Sequence, residues 1–359
     1  MSFPDLNIGL VIPESGPSGI FGPSCWASAE LAIEEINEQG GILGREVVAV
    51  PIDGGAEPME VAAQVQSMHV RGAIDAVVGW HTSAVRSRIA HAVGGRIPYV
   101  YTAVYEGGES TPGVFMTGEV PDGQVVPALT WMADNCGARS WYVVGSDYIW
   151  PRSTFAAVLD SVHRDGCGGR GVQLSAAEFL PLGVADFGQV LDAIEPAEVD
   201  GVLVLLLGQD AVQFNRAFAE RGFDRDLVRL SPLMDENMLL ASGRDAVSEL
   251  YSASGYFESL VTSYTMSFES RYISRFGAAA PPLASPGESC YEGIALLARL
   301  ALNAGRYDVG ALKRQSTRAM DYESPRGHVR FERNHLSQNI YIARASGLDF
   351  DVVDQLATT

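Results

Sequence analysis

Short apolar runs alternate with amphipathic segments along most of this chain, and that alternation limits its folds more than any other feature. Leu6–Ile12 is an apolar run that ends at Pro13, which is the pattern of a buried strand. A helix is predicted from about Ser24, because Ala29 and Ile33 fall on one face at helical spacing. Further strands are predicted over residues 47–52, 74–78, 97–101, 140–144, 199–207 and 227–230, and further helices after residue 83 and over residues 153–164, 187–194 and 211–221. This alternation predicts parallel sheets covered by helices on both faces.

The length of the chain indicates two domains. It has 359 residues, and single hydrophobic cores stop growing at roughly 250–300 residues. The alternation of strands and helices runs through both halves, so the two lobes look like versions of one plan. In sheets of this kind, ligands collect at the carboxyl ends of the strands, where the strand order switches.

The acidic composition disfavours two kinds of partner. The formal net charge is −19, whereas nucleic acid and anionic membranes both bind to basic surfaces. No apolar run reaches the length of a membrane span, so membrane insertion is not expected. The first residues lack the features of a signal peptide, which favours a cytoplasmic protein. The alternative is a periplasmic or extracellular, lipid-anchored protein from which a leader has been removed.

Three groups of segments carry a family signature. The first lobe contains Ile8–Ile12, Ala32–Asn37, Gly40–Arg45, Gly79–Ser83 and Tyr101–Gly107. The most specific segment is Gly145–Arg152, and Ser324–Phe331 and Asn334–Ser337 complete the set near the end. Together they resemble the type I periplasmic-binding-protein superfamily. Within it, the chain is similar to the amide-sensing negative regulators of aliphatic amidase operons and to the urea- and short-amide-binding proteins of ABC transporters.

The resemblance implies an α/β fold of two doubly wound, Rossmann-like lobes joined by three crossovers. The ligand would lie in the cleft between the lobes. The crossings are expected near residues 118–120, 255–257 and 325–327. Lobe one would then be residues 1–119 plus 256–325, and lobe two residues 120–255 plus 326–359.

Residues that follow the predicted strands of lobe one are the first candidates for ligand binding: His81, Thr82, Ser83, Tyr101, Ala103, Val104 and Tyr105. Ser83 stands where a strand ends and a helix begins, so its hydroxyl is expected to cap the helix, and the N–H groups there favour a ligand oxygen. The resemblance adds that the matching serine lines the amide pocket. From its position alone Tyr101 fits the core equally well, and the resemblance favours a pocket wall. The amide sensor has a tyrosine in place of His81, a threonine in place of Ala103 and a proline in place of Val104, so the pocket is expected to differ.

The candidates in lobe two are Tyr148, Trp150, Gln209, Met234 and Asp235. The resemblance implies that Tyr148 faces the ligand, where its phenol can donate to a carbonyl or accept from an amide N–H. Trp150 stands where the amide sensor has tyrosine. Gln209 and Asp235 follow predicted strands, and Asp235 is expected mainly as a helix N-cap. Glu109 is expected to be a surface or hinge charge.

No enzyme motif in the sequence supports catalysis. The glycines of Gly16–Gly22 follow a GxxGxxG pattern, which lacks the GxG turn that lets backbone approach a pyrophosphate. The sequence contains no phosphate-binding GxxxxGK[ST] loop, no GxSxG elbow and no HExxH motif. No residue is therefore assigned to catalysis, to a metal or to a cofactor.

These observations favour a protein that binds a small polar molecule, such as a short aliphatic amide or urea. The resemblance implies a cytoplasmic sensor that regulates amide or nitrile metabolism through a partner, an RNA-binding antiterminator protein. The alternative is the substrate-binding component of an ABC transporter for urea, amides or branched-chain amino acids. A dinucleotide-dependent enzyme is a distant third. The identity of the ligand and the formation of a homo-oligomer are left open.

Overall fold

The structure is a computed structural model that describes residues 4–195 and 197–356. The chain divides into two compact units. The first unit comprises the residues up to Val104, Gly108–Gly118 and Val261–Gln338. The second unit comprises Tyr105–Gly107, Glu119–Leu260 and the residues from Asn339 onward.

The helices and strands follow one another in the predicted alternation. The first unit opens with β1 Leu6–Ile12, α1 Gly22–Glu38, β2 Val47–Asp53, α2 Pro58–Val70, β3 Ala76–Gly79, α3 Ser83–Val93, β4 Tyr99–Tyr101 and β5 Val114–Met116. The second unit holds α4 Val125–Asn135, β6 Ser140–Ser146, α5 Ile149–Gly169, β7 Gln173–Leu180, α6 Gly188–Ile194, β8 Gly201–Leu205, α7 Gln209–Glu220, β9 Val228–Leu230, α8 Glu236–Ser242 and β10 Leu250–Ser254. The first unit resumes with α9 Ser263–Phe276, α10 Ser285–Ala304, α11 Val309–Ser316, β11 Met320–Ser324, β12 Gly327–Glu332 and β13 His335–Ser337, and β14 Ile340–Ser346 and β15 Asp349–Leu356 complete the second.

Each unit is built on one mixed sheet. The strand order in the first unit is β11-β12-β13-β5-β4-β3-β1-β2, and in the second unit it is β15-β14-β10-β9-β8-β6-β7. Five neighbouring strands are parallel in each: β5-β4-β3-β1-β2 in the first unit and β10-β9-β8-β6-β7 in the second. The added strands β11, β12, β14 and β15 pair antiparallel. The predicted doubly wound α/β plan, repeated in two units, is confirmed.

Apolar side chains bury the central parallel strands on both faces, whereas the edge strands β2 and β7 are partly exposed. β1 and β8 are almost continuously buried, which is the signature of strands covered by helices on both sides. In the first unit α1 packs against α10, and α2 packs against α3. Proline in the first turn of α10 and left-handed Gly305 (φ 61°) after its last turn set the ends of this helix.

The predicted third crossing is wrong. It was expected near residues 325–327, but the chain leaves the first unit only at Gln338–Asn339. Residues 327–337 form β12 and β13, which pair with β11 and with each other, and β13 also pairs with β5 of the first sheet. These backbone hydrogen bonds hold the segment in the first unit. The first crossing falls at Gly118–Glu119, where it was expected, and the second lies a few residues later than expected, at Leu260–Val261.

Candidate functional site

The order of the parallel strands indicates where a ligand would bind to the first sheet. β1 lies between β2 and β3, so the chain connections run in opposite directions on its two sides. Ligands of doubly wound sheets bind outside the carboxyl ends of the strands at such a switch point. In the first unit, this point includes the turn that joins β3 to α3, where three of the candidate residues lie.

Thr82, and not Ser83, caps α3. The Thr82 Oγ1 accepts a hydrogen bond of 3.4 Å from the Val85 N–H, and Thr82 has extended backbone angles. Ser83 is the first residue of the helix, so the prediction of Ser83 as the N-cap is wrong by one position. The Ser83 side chain is 1% exposed, and its hydroxyl has no hydrogen-bond partner among the described residues. A buried hydroxyl without a partner costs free energy that a ligand oxygen could recover.

His81 lies beneath this turn and is fully buried. Its Nδ1 lies 3.2 Å from the Thr82 carbonyl oxygen, and its Nε2 lies 3.1 Å from the Tyr99 hydroxyl. Desolvation and, to a smaller extent, the charge of nearby Arg86 lower the pKa of His81 to about 3, against the opposing effect of the Thr82 carbonyl. The ring is therefore neutral, and both nitrogens are engaged inside the first unit. This arrangement differs from the expectation that His81 faces the ligand.

Tyr101 supports the same turn. Its hydroxyl donates a 2.7 Å hydrogen bond to the His81 carbonyl, and its ring centroid lies 5.1 Å from that of His81. The Arg86 guanidinium lies 5.2 Å from the centre of the Tyr101 ring, within cation–π range. These contacts account for the burial of Tyr101 and fit the core alternative, while its predicted place in a pocket wall stays a prediction.

Glu109 is not the surface or hinge charge that was expected. Its carboxylate lies 3.3 Å from the Arg86 Nε, and both side chains are largely buried. Hydrogen bonds from Thr111 and the charge of Arg86 oppose the effect of burial, and the net result lowers the pKa of Glu109. The Glu109 carbonyl also contacts Nε2 of His335 at 3.1 Å. A charged pair thus lies inside the first unit, close to α3.

The remaining first-lobe candidates follow β4. Ala103 is buried, and Val104 is partly exposed, with its carbonyl 3.5 Å from the Tyr101 hydroxyl. A side chain at Gly118 would meet the Ala103 carbonyl oxygen at 1.9 Å, so only glycine fits there. Tyr105 is also buried and belongs to the second unit. Their predicted contact with a ligand stays a prediction.

In the second unit, Tyr148 and Trp150 lie at the start of α5, beyond the carboxyl end of β6. Tyr148 is partly exposed and occupies the N-cap position. Trp150 is 1% exposed and is among the largest buried side chains. Asp147 accepts a 2.6 Å hydrogen bond from Arg152, which braces the loop. The predicted ligand contacts of Tyr148 and Trp150 stay predictions.

Gln209 begins α7, beyond the carboxyl end of β8. The preceding Gly208 has φ 49°, a left-handed value that favours glycine. Asp210, the residue after Gln209, was not predicted as a site residue. It is buried and accepts a 2.9 Å hydrogen bond from the Gly183 N–H. Desolvation raises the pKa of Asp210 to about 6.

Asp235 and Glu236 form a buried acidic pair beyond β9. Asp235 caps α8 by accepting a 2.9 Å hydrogen bond from the Met238 N–H, so its predicted role as N-cap is confirmed. Glu236 is 5% exposed, and its Oε1 accepts a 2.9 Å hydrogen bond from the Glu258 N–H. Its Oε2 has no hydrogen-bond partner in the described part of the chain. Desolvation raises the pKa of Asp235 to about 7, and desolvation together with the charge of Asp235 raises that of Glu236 well above its ordinary value.

Met234 lies just before this pair and is buried. Its carbonyl accepts a 2.8 Å hydrogen bond from the Ser252 hydroxyl, and its sulfur lies 3.7 Å from the Asn215 amide nitrogen. Met234 and Asp235 were predicted from the sequence as site residues, and Glu236 was not. The available signal was a pair of adjacent acids that four residues separate from the end of β9.

Two further properties concern the described residues only. Within residues 4–195 and 197–356, no group of three His, Cys, Asp or Glu side chains could hold a metal ion. None of the helices described is both long and apolar enough to cross a membrane.

Comparison with known proteins identifies the family. The sequence profile of the periplasmic binding protein family matches residues 5–349. The chain belongs to this family. Its fold is the two-lobe α/β fold of type I periplasmic binding proteins, as the sequence predicted.

Two relatives are named as amino-acid-binding proteins. "Leu/Ile/Val-binding protein homolog 6" of Brucella melitensis is 23% identical over 356 residues, which cover 96% of this chain and 88% of that protein. A Leu/Ile/Val-binding protein of Rhizobium johnstonii is 38% identical over 81 residues. That shorter match covers 23% of this chain and only 22% of the relative.

Solved structures agree with this fold. A solute-binding protein of an ABC transporter from Rhodopseudomonas palustris, in complex with 3,4-dihydroxybenzoic acid, has a TM-score of 0.85 and 21% identity and covers 99% of this chain and 98% of its own. A branched-chain amino acid transporter substrate-binding protein from Streptococcus pneumoniae, in complex with isoleucine, has a TM-score of 0.84 and 18% identity, with coverage of 98% and 99%. The fold and these relatives are those of small-ligand-binding proteins. The relatives match the transporter alternative better than the amide sensor, and they give no support to an antiterminator partner.

Proposed function

We propose that this chain is the substrate-binding component of an ABC-type transporter. We infer that its ligand is a small molecule that carries both an oxygen acceptor and an ammonium or amide group. The observation that carries the proposal is the buried Ser83 hydroxyl at the start of α3, which has no hydrogen-bond partner in the described residues.

The first unit offers hydrogen-bond donors to a ligand oxygen. The first N–H groups of a helix have no partner within the helix, and the helix dipole makes this end electropositive. In α3 they stand beside the Ser83 hydroxyl, at the strand-order switch point of the sheet. A carboxylate or a carbonyl oxygen is the group that this set of donors recognises.

The second unit offers an acceptor. The Glu236 Oε2 is buried and has no hydrogen-bond partner in the part of the chain that the structure describes. An unpaired buried carboxylate is costly, so it is either protonated or neutralised by a cationic partner. An ammonium group would neutralise it, and an amide N–H would supply the missing hydrogen bond. Amino acids and short amides both combine such a group with an oxygen acceptor.

The family membership and the names of the relatives support the transporter over the sensor. Two of those relatives are Leu/Ile/Val-binding proteins, and the two structures are transporter components. The proposal changes the expected location as well, because the binding component of such an importer works outside the cytoplasmic membrane. Fractionation of native cells tests this location. Recovery of the protein in the cytoplasmic fraction alone would favour the sensor.

A thermal-shift screen tests the ligand class. The panel is L-leucine, L-isoleucine, benzoate, 4-hydroxybenzoate, acetamide and urea. A ligand bound only by the folded state raises the unfolding midpoint with its concentration. We expect a shift with a compound that carries both groups, an amino acid or an amide. A shift with benzoate alone would contradict the proposed ligand class, and no shift with any compound would contradict the proposal.

The Glu236→Gln variant tests the second-unit acceptor. It retains shape and an acceptor oxygen but cannot carry a charge. If the ligand has an ammonium group, the variant binds it at least roughly tenfold more weakly, because a charge-assisted hydrogen bond is lost. If the ligand is a neutral amide, the loss is smaller. Asp245→Gln, on the exposed surface of the same unit, is the charge-matched control. Equal affinity of Glu236→Gln and wild type for every ligand would remove Glu236 from the site.

A further inference from the structure

The turn before α3 is held from beneath by two phenols. The Tyr99 hydroxyl contacts the His81 ring at Nε2, and the Tyr101 hydroxyl donates to the His81 carbonyl. Tyr99 and His81 are fully buried, and Tyr101 nearly so. His81 is thus fixed at its side chain and at its backbone, two residues before Ser83.

The contacts of the ring determine its tautomer. A carbonyl oxygen only accepts, so the His81 nitrogen that faces the Thr82 carbonyl, Nδ1, carries the proton. Nε2 then has a lone pair and accepts a hydrogen bond from the Tyr99 hydroxyl. The Thr82 carbonyl also accepts the helical hydrogen bond from the Arg86 N–H at 3.0 Å. The histidine ring therefore bonds to the same carbonyl that begins the hydrogen-bond ladder of α3.

We propose that His81, held by Tyr99 and Tyr101, is a positioning residue that fixes the start of α3 and thereby presents the Ser83 hydroxyl to the ligand. His81 itself does not touch the ligand, because both ring nitrogens are engaged within the first unit. This inference rests on the proposed function, which puts a ligand oxygen at Ser83. It adds that His81, Tyr99 and Tyr101 influence the affinity for the ligand indirectly, by fixing the position of Ser83.

The neutral ring suits this role. A protonated imidazole would have two donors and no acceptor for the Tyr99 proton. Burial opposes protonation, as does Arg86, whose guanidinium lies over the Tyr101 ring and pairs with Glu109. The turn is therefore expected to keep one geometry across the physiological pH range.

A double-mutant cycle tests the inference. Calorimetry measures the affinity of Tyr101→Phe, Ser83→Ala and the double variant for the tightest binder among L-leucine, L-isoleucine and acetamide. We expect Tyr101→Phe to lower affinity roughly two- to tenfold in the wild-type background, the equivalent of one lost hydrogen bond. In the Ser83→Ala background the same change should lower affinity less than about twofold, because the two residues act as one unit. Tyr99→Phe, which acts on the ring, should behave in the same way.

The outcomes separate this inference from the proposed function. If Ser83→Ala binds like wild type, the proposed site is wrong. If Ser83→Ala loses affinity and the tyrosine variants lower affinity equally in both backgrounds, or not at all, the positioning role is wrong. A purely structural role would lower the unfolding midpoint without coupling to Ser83 in the binding data.

A spectroscopic measurement tests the tautomer without any ligand. Nitrogen-15 NMR of the histidine rings distinguishes the Nδ1–H form from the Nε2–H form, and the His81→Gln variant assigns the signal. We expect a neutral Nδ1–H ring that persists at pH 5. An Nε2–H ring, or a ring that protonates near pH 6, would overturn the inference.

Discussion

At the scale of single residues, the two adjacent hydroxyls at the start of α3 have different roles. Thr82 Oγ1 satisfies a backbone N–H, whereas the Ser83 hydroxyl bonds to nothing described in the structure. We predict that Thr82→Ala lowers the free energy of unfolding by about 0.5–2 kcal/mol, the usual cost of a lost N-cap. Thr82→Ser keeps the hydroxyl and is the control. Urea denaturation measures both variants, and equal stability of Thr82→Ala and wild type would show that the cap contributes nothing.

The sequence locates this turn but does not show which role each residue in it has. A strand pattern followed by a helix pattern marks the junction to within a residue or two. Which of Thr82 and Ser83 caps the helix depends on backbone angles that a one-residue shift reverses. The roles of His81 and Tyr101 are not predictable from the sequence, because they depend on contacts between residues 18 and 20 positions apart in the chain.

The acidic residue Asp235 makes stability depend on pH. Desolvation raises its pKa from 3.8 to about 7 in the folded protein. Between about pH 4 and 7 the folded protein holds a proton that the unfolded chain has lost, so stability falls as the pH rises through this window. Asp235→Asn keeps a good N-cap. We predict that between pH 4 and 8 this variant loses less unfolding free energy than wild type, by on the order of 1–3 kcal/mol.

Thermal melts across this range measure the effect. The exposed Asp245→Asn removes the same charge from the same unit and should leave the pH slope unchanged. If Asp235→Asn and wild type lose stability equally between pH 4 and 8, the account of Asp235 is wrong.

At the scale of elements, a buried arginine joins the parts of the first unit that lead to two crossings. The Arg326 guanidinium donates to Glu288 and Ser289 of α10, to the Thr117 carbonyl before the first crossing, and to Gln338 before the third. Arg326 and Glu288 are both fully buried. Removal of one partner from such a pair leaves a charge in the interior.

We predict that Arg326→Met lowers the free energy of unfolding by about 3–5 kcal/mol. The control is Arg275→Met, which breaks exposed ion pairs between α9 and Glu30 and Glu34 of α1. Exposed pairs contribute little, so the control should melt close to wild type. Similar midpoints for Arg326→Met and wild type would contradict the anchoring role.

The sequence predicts the positions of the parallel strands well, but it does not predict which sheet the last strands join. β1 is an apolar run broken only by Asn7, and its predicted bounds match the structure to the residue. β12 has a clear period of two, with Val329 and Phe331 buried and His328 and Arg330 exposed. That period indicates a strand but not the sheet it joins, because pairing is decided by distant residues. From the sequence, the third crossing is expected in this segment. In the structure the segment extends the first sheet.

At the scale of the whole molecule, fold and function were not equally predictable. The alternation of strands and helices follows from local patterning, and the resemblance to the family rests on particular segments, above all Gly145–Arg152. One fold hosts both transporter components and sensors, so the choice between them rests on the site and on partners. The ligand remains a proposal because it depends on which buried polar atoms lack partners, and only the assembled structure shows these.

The most direct test of the proposed ligand site compares two serines by calorimetry. Ser83 and Ser28 both lie buried in the first unit, and neither hydroxyl has a hydrogen-bond partner among the described residues. Each serine is replaced by alanine, and the variants are titrated with the tightest ligand from the screen. We predict that Ser83→Ala weakens binding roughly tenfold, with little change in stability, and that Ser28→Ala binds like wild type. Equal affinities for Ser83→Ala and wild type, or an equal loss in both variants, would contradict a ligand site at the start of α3.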